Sequence, residues 1–588
     1  AWAPAIPTDD ERILVASHPG WTSERMREDG ARRPENRAGR AGPRPRDGEG
    51  HVRTPGVRDG IVLGTVGALW VAVVTAIGLL LAGLPFPPFD LFDGEARVLP
   101  GAVVGFTVET IVALARALDL GPTATVAKIA EHAVALLQFL VLGALVGVAL
   151  VLSVRRRPAL GPRVGVLVGA ACALAFALIR GALGFAVSPA LAVAWLAVVL
   201  TGGGAVMGIW VRGAAGEGAG RPETPAGPSR RRVLYWTGLA GLAAALGLAA
   251  AAVRRRGGAA DAARGASSPA EPPPPETSGP AVSPDERTLA ARIEPAPGTR
   301  PEVTPVGDFY RVDIDSLPPR IDASRWRLQV GGLVARPASL SLDDLRALPS
   351  VTQAITLSCI SNPVGGDLIS TGFVTGVPVR ELLARVEPRA EATALNMRCA
   401  DGFYESLALA TAMDARTLLV HALDGAPLPA EHGAPARIYI PGRYGMKQPK
   451  WITSIELSDQ ALTGYWVERG WDRDAFVRTT SVVDAPRDTV RAAGPVAVGG
   501  IAYSGERGIS RVEIQVDGGD WQPATLRIPP LSPLTWVQWR ATLPLAPGDH
   551  TIGVRAYDGS GRLQVTTPSD TAPSGATGLF TRSVTVRV

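Results

Sequence analysis

Ile355-Thr356-Leu357-Ser358-Cys359, followed by Ile360-Ser361-Asn362-Pro363-Val364-Gly365-Gly366, joins an apolar strand to a turn-rich loop and puts a thiol where the two meet. Apolar and β-branched residues favour the strand, and Asn, Pro and Gly end it. A side chain at such a strand end is held on fixed backbone while the loop stays open to a ligand. Thiolate is a soft donor that suits a transition metal, and the glycines let a large ligand approach the backbone. A lone cysteine is also a small hydrophobe that packs well, so Cys359 by itself leaves both readings open.

Outward from this stretch the pattern is α+β. Arg325 to Val330 and Ala354 to Ile360 read as strands, and Ser341 to Ala347 and Pro378 to Val386 as helices, within a domain expected over 304–478. From residue 479 to 588, alternating stretches at Val496 to Ala502, Ser510 to Asp517, Val537 to Leu543 and His550 to Tyr557 are separated by Gly, Pro and Asp turns. That spacing predicts an immunoglobulin-like β-sandwich.

The chain upstream is different in kind. Residues 1–59 are rich in Arg, Pro, Gly and Asp and read as a disordered basic tail. Apolar runs begin with the uncharged Ile61 to Gly83 and recur near 133–153, 162–185, 187–211 and 233–253, with Arg180 the one charge deep inside a run. Each is long enough to cross a hydrocarbon layer of roughly 30 Å, which predicts a transmembrane all-α bundle of about five helices over 60–256. Val103 to Leu118, with Glu109 and Arg116 inside its pattern, reads as an amphipathic surface helix. Residues 257–303, with Pro272 to Pro275, read as a Pro/Ala-rich linker.

Arginines at 155–157 and 163, and at 230–232, mark cytoplasmic loops, so five crossings place the soluble half outside the cytoplasm. Arg254 to Arg256, just past the last run, run against that rule. Ser229-Arg230-Arg231-Arg232-Val233-Leu234 resembles a twin-arginine export signal, in an internal position. The net charge of +5 comes with no stripe of Lys and Arg interleaved with aromatics in the soluble half, so no nucleic-acid partner is expected. Three cysteines make no disulfide framework, and no CxxC, CxxCH or HExxH is present. His132, near the second run, reads as structural rather than as a haem ligand.

Four further stretches bear on Cys359: Thr371-Gly372-Phe373-Val374-Thr375-Gly376-Val377-Pro378-Val379, Glu431-His432-Gly433-Ala434-Pro435-Ala436-Arg437, Pro441-Gly442-Arg443-Tyr444-Gly445, and the pairs Lys450-Trp451 and Tyr465-Trp466. In this order, over 304–478, they resemble the sulfite oxidase family of molybdopterin-dependent oxidoreductases, with this chain looking like a membrane-anchored bacterial type of it. The resemblance implies a molybdenum–molybdopterin cofactor with Cys359 as the protein ligand to the metal. It implies cofactor contacts from Tyr310, Arg311, Asp401, His432, Arg437, Gln448 and Lys450, and it implies Tyr444 and Lys447 beside the metal, with Arg443 a further candidate. Cations and backbone donors suit a pterin phosphate, and a carboxylate or imidazole can bond pterin nitrogens.

Two departures bear on substrate. Sulfite-oxidising members carry an arginine soon after the ligand cysteine, where this chain has Asn362 to Gly366, and a tyrosine used near the metal falls here at Trp471, which has no phenolic proton to give. The expectation is therefore two-electron oxygen-atom transfer on a small oxo-donor or oxo-acceptor, with a cytochrome or membrane quinol as extracytoplasmic electron carrier and a homodimer through the C-terminal domain. Reduction of methionine sulfoxide is the alternative within the family, and it needs an open pocket rather than a cationic one. From another class, a cofactor-free tethered binding scaffold would need none of these residues together.

Overall fold

A computed structural model of the protein describes residues 55–101, 103, 106, 107, 110, 121–184, 187–216, 293–487, 489–491 and 494–587. The basic tail up to 54, the apolar run at 233–253, the arginine motif at 229–234, most of the 103–118 helix and the linker up to 292 lie outside the described residues.

Five helices open the described chain: α1 (Val57–Ala82), α2 (Pro87–Val98), α3 (Thr123–Val154), α4 (Gly161–Leu183) and α5 (Pro189–Gly216). All but α2 are long and apolar enough to cross a membrane, and they match the first four apolar runs. Leu81, Leu137, Leu145, Leu167, Leu178 and Val198 point outward and are exposed, as residues facing lipid would be. The helices meet in pairs through glycine. A Cβ on Gly64 of α1 would stand 2.0 Å from the Gly143 carbonyl oxygen of α3, and one on Gly204 of α5 would stand 2.2 Å from the Gly165 carbonyl oxygen of α4. Only the missing side chains let these backbones touch.

The short helix α2 was not foreseen. Pro87 and Pro88 fall in its first turn, where a missing N–H costs nothing. Its Asp90 pairs with Arg180 of α4 at 2.9 Å, which answers the one charge deep in an apolar run. The second run also starts earlier than expected, at Thr123, because Lys128, Glu131 and His132 find partners at the helix start.

The next domain holds two sheets. One runs β2 (Ala338–Leu340), β1 (Leu328–Gly332), β10 (Ile452–Ser458), β5 (Ala394–Cys399), β6 (Tyr404–Ala408); the other runs β3 (Val351–Ser358), β4 (Ile369–Pro378), β7 (Leu418–Leu423), β8 (Ala426–Pro427), with β9 (Arg437–Tyr439) on β7. β1 and β10 pair in parallel and the other neighbours are antiparallel. Leu328, Val330, Leu382, Leu395, Met397, Ile438 and Ile455 are among the residues of the main core. The helix Leu342–Arg346 starts at Ser341, whose side chain accepts from Asp344 N while the Asp344 carboxylate takes Ser341 N.

The C-terminal region builds a four-stranded and a five-stranded sheet, led by Thr480–Ala485 and by Thr489–Arg491, which share a core of Val498, Val512, Trp539, Ile552, Val554 and Val584. The four expected strands are present to within two residues at either end. Residues 293–303, read as the end of the linker, are instead docked on these sheets. Arg300 pairs with Asp484 at 2.7 Å, Trp536 Nε1 donates to the Glu302 carbonyl, and Ala296 is buried.

Candidate active site

Cys359 follows β3 directly. Its N–H donates to the Leu368 carbonyl (2.9 Å), Asn362 N donates to the Cys359 carbonyl, and Leu368 N donates to Asn362 Oδ1 (3.0 Å), so the loop to β4 is tied closed at its neck. The thiol is buried, with Sγ 3.0 Å from Ser361 Oγ. Burial raises its pKa, and the Ser361 contact offsets this in part. Among the described residues no three His, Cys, Asp or Glu side chains stand together to hold a metal, so a metal at Cys359 would draw its other ligands from outside the protein.

The thiol opens into a cleft of about 1080 Å³, measured to its open mouth. Its apolar lining includes Phe403, Met446, Trp466 and Trp471; Tyr310, Asp401, His432, Arg437, Gln448 and Lys450 also line it. Phe309 and Tyr310 stack at 6.3 Å, and Phe309 meets the His432 ring edge-on at 5.5 Å. Seven of the ten residues expected to serve cofactor or catalysis thus face one space.

The polar lining carries two cations. Arg437, the first residue of β9, is half-buried, and the described bond of its guanidinium is Nη1 to the His432 carbonyl at 3.2 Å. Burial lowers its pKa to about 10. Burial, then the Arg437 charge, pushes His432 down to about 4. Burial, then Arg311 and Lys128, pushes Lys450 well below the usual lysine range, although its ammonium bonds the Asp313 carboxylate and the carbonyls of Val312 and Glu431. Gln448 donates through Nε2 to the carbonyls of Ile440 and Arg443, which leaves its buried Oε1 as an acceptor without a partner. Asp401 sits on the turn from β5 to β6, accepts from Phe403 N at 3.0 Å, and is raised by burial to about 6. Two cations beside an open acceptor fit a polar anion that offers donors of its own.

Three expected residues sit elsewhere. Arg311 lies behind the wall, with Nε 2.6 Å from Asp313 Oδ2. Tyr444 does not line the cleft but packs in the apolar cluster that includes the lining residues Ile360 and Met446, where its hydroxyl accepts from Arg478 N (3.1 Å) and abuts Gly575, and burial raises it to about 12. Lys447 forms a buried ion pair with Glu405 at 2.6 Å and lines a different cavity together with Arg443. The cause is the 3-10 turn Gly445–Lys447, which gives Gly445 and Met446 to the cleft and turns Lys447 away. Phe309, Asp313, Ser361, Phe403, Met446 and Trp466 were not expected in the wall, and only Ser361, two residues from the thiol, carried a sequence signal for it.

The charges give a pH test. Below about 6.5 the unfolded chain takes a proton on His432 that the folded chain refuses until about 4. That part of the stability is whole above 6.5 and is lost as pH falls through 4. In His432→Gln the cofactor-free chain should therefore lose less stability between pH 6.5 and 4 than wild type does, by up to about 3 kcal/mol, as read by denaturant midpoints. An unchanged slope contradicts a buried neutral imidazole.

Residues 315–466 match the family model described as "Oxidoreductase molybdopterin binding domain", and 472–572 match "Mo-co oxidoreductase dimerisation domain". Among curated relatives, the chain is 35% identical over 152 residues to "Putative protein-methionine-sulfoxide reductase subunit YedZ1" of Azospira oryzae, covering 26% of this chain and 56% of that one. It is 30% identical over 340 residues to "Sulfite oxidase, mitochondrial" of Rattus norvegicus (49% and 61%), and 25% identical over 323 residues to "Sulfite oxidase" of Arabidopsis thaliana (45% and 82%). The chain spans less than two thirds of the first two.

Proposed function

This chain carries the molybdopterin-binding oxidoreductase domain of the sulfite oxidase family, and from that premise we propose that it is a membrane-anchored enzyme of two-electron oxygen-atom transfer, with Cys359 the protein ligand to molybdenum. The observation that carries this reading is the cleft itself, which is lined by a buried thiol, aromatic side chains, the cations Arg437 and Lys450, and the unpartnered acceptor Gln448 Oε1. Arg437, Lys450 and His432 would hold the pterin phosphate, and Gln448 Oε1 and the Asp401 carboxyl would meet pterin nitrogens. When bound, the cofactor supplies the oxygen-atom exchange and the two-electron redox change.

The residues around Cys359 favour a neutral substrate over sulfite. Arg443 and Lys447 are turned out of the cleft, no cation follows the cysteine, and Trp466, Trp471 and Met446 line the same cleft as the thiol. A sulfoxide fits such a wall, and the likeness to a subunit named for methionine sulfoxide reduction points the same way. Its oxygen leaves as water, with two electrons supplied by a cytochrome or quinol and two protons taken up from solvent. The apolar helices support a site at a membrane, the arginine pattern of the sequence supports a site outside the cytoplasm, and the C-terminal sheets, read as an immunoglobulin-like sandwich, would pair two copies. Assay of the purified full chain against methionine sulfoxide and sulfite tests the preference. At least tenfold faster sulfoxide reduction is expected, and faster sulfite oxidation overturns it.

A further inference from the structure

We infer that Arg97, on the short helix α2 of the apolar half, is a positioning residue for the cofactor cleft and acts through the Asp401 turn and the strip Asp313 to Ser316. The inference rests on the cofactor reading of the cleft. Arg97 Nη2 donates to Asp315 Oδ1 and to the Asp401 carbonyl, each at 2.5 Å, across more than 200 residues of sequence. One turn earlier on the same face of α2, Asp93 Oδ1 accepts from Ser316 N (3.0 Å) and Ser316 Oγ (2.6 Å). From α3, Lys128 Nζ donates to the Asp315 carbonyl at 2.8 Å and His132 Nε2 lies 3.0 Å from the Ser316 carbonyl. Two helices thus each use residues four apart to grip one dipeptide.

What they grip adjoins the cleft. Val312, Asp313 and Ile314 line the cleft immediately before that dipeptide, and Asp401, bonded by the same Arg97 nitrogen as Asp315, lines it too. Besides Ala400 N to the Trp451 carbonyl, the Asp401 turn is closed by its own bonds, Gly402 N to the Cys399 carbonyl and Phe403 N to Asp401 Oδ1, so a shift of the Asp401 carbonyl carries the carboxyl with it. The Arg97 carbonyl in turn accepts from Arg469 Nη2 at 3.2 Å, and that guanidinium lies 3.6 Å over Tyr465, next in sequence to the lining residue Trp466. A simple tether would need none of this. Its contacts would be free to fall anywhere on the domain, whereas these fall on lining residues or their immediate neighbours.

Removing Arg97 does not strand a charge, because burial already pushes the Asp315 carboxyl up to about 8 and it can take a proton. The test uses the full chain in detergent and follows pterin loss after dilution by the fluorescence of the released, oxidised pterin. Arg97→Ala should lose pterin at least fivefold faster than wild type, with faster amide exchange at 401–403, and Arg97→Lys should return the rate to within twofold. If the alanine variant does not accumulate, Arg97→Gln, which keeps an amide donor but drops the charge, should still lose pterin at least twofold faster. Wild-type retention in the variants overturns the inference. Wild type that holds no pterin would instead sink the cofactor reading, and amide exchange at 312–316 and 401–403 would then decide the role of Arg97 separately: unchanged exchange in the variants overturns it.

Discussion

Cys359→Ser should lower turnover by about 10³-fold or more, equivalent to roughly 4 kcal/mol of lost transition-state stabilisation, while leaving the fold intact. Serine is smaller than cysteine, and its hydroxyl can keep the contact with Ser361 Oγ, so neither a large cavity nor an orphaned donor is created. The closed neck of the loop depends on the backbone of residue 359 and on Asn362, neither of which the substitution touches. What is lost is the soft ligand, since an alcohol is a poor donor to a transition metal near neutral pH. Steady-state turnover beside a thermal melt separates the two effects. Turnover within tenfold of wild type would mean that the thiol is only a packed small hydrophobe.

Arg437→Met is expected to divide binding from stability. The guanidinium is half-buried on the cleft lining and meets only a carbonyl among the described bonds, so in the cofactor-free chain it loses hydration that little repays. Methionine has similar length without the charge. The cofactor-free variant should be as stable as wild type or more stable by ~1 kcal/mol, yet hold the cofactor about 100-fold less tightly, the loss of a charge-assisted pair of roughly 3 kcal/mol. Because the Arg437 charge helps to depress His432, the imidazole should also titrate above about 4 in the variant. Denaturant midpoints, pterin retention and histidine titration by NMR read the three effects. A variant less stable by several kcal/mol that binds the cofactor normally would make Arg437 a structural residue.

The readable parts of the chain are those in which the local pattern and the long-range answer coincide. Val537–Leu543 forms as predicted because alternating apolar residues bury one face of a sheet, and Val379–Val386 because its apolar residues fall at helical spacing. The four helices follow from length and composition alone. Helix α2 was invisible for the opposite reason. Its Asp90, Asp93 and Arg97 look like loop residues until Arg180, Ser316 and Asp401, from 90 to more than 300 residues away, supply their partners. Lys447 was placed by its neighbourhood in sequence, whereas its direction is set by one tight turn and by Glu405 on another strand. Motif spacing reports which residues share a loop, but the side of the loop from which each side chain leaves depends on backbone dihedrals that spacing does not encode.

The central claim is that this cleft holds a molybdenum–molybdopterin cofactor through Cys359. Elemental and pterin analysis of the purified full chain, wild type beside Cys359→Ser, tests it most directly. The account predicts about one molybdenum and one pterin per wild-type chain, and molybdenum that is lost or altered in its absorption when the thiol is replaced. Wild-type protein from cofactor-competent cells with neither molybdenum nor pterin would contradict it.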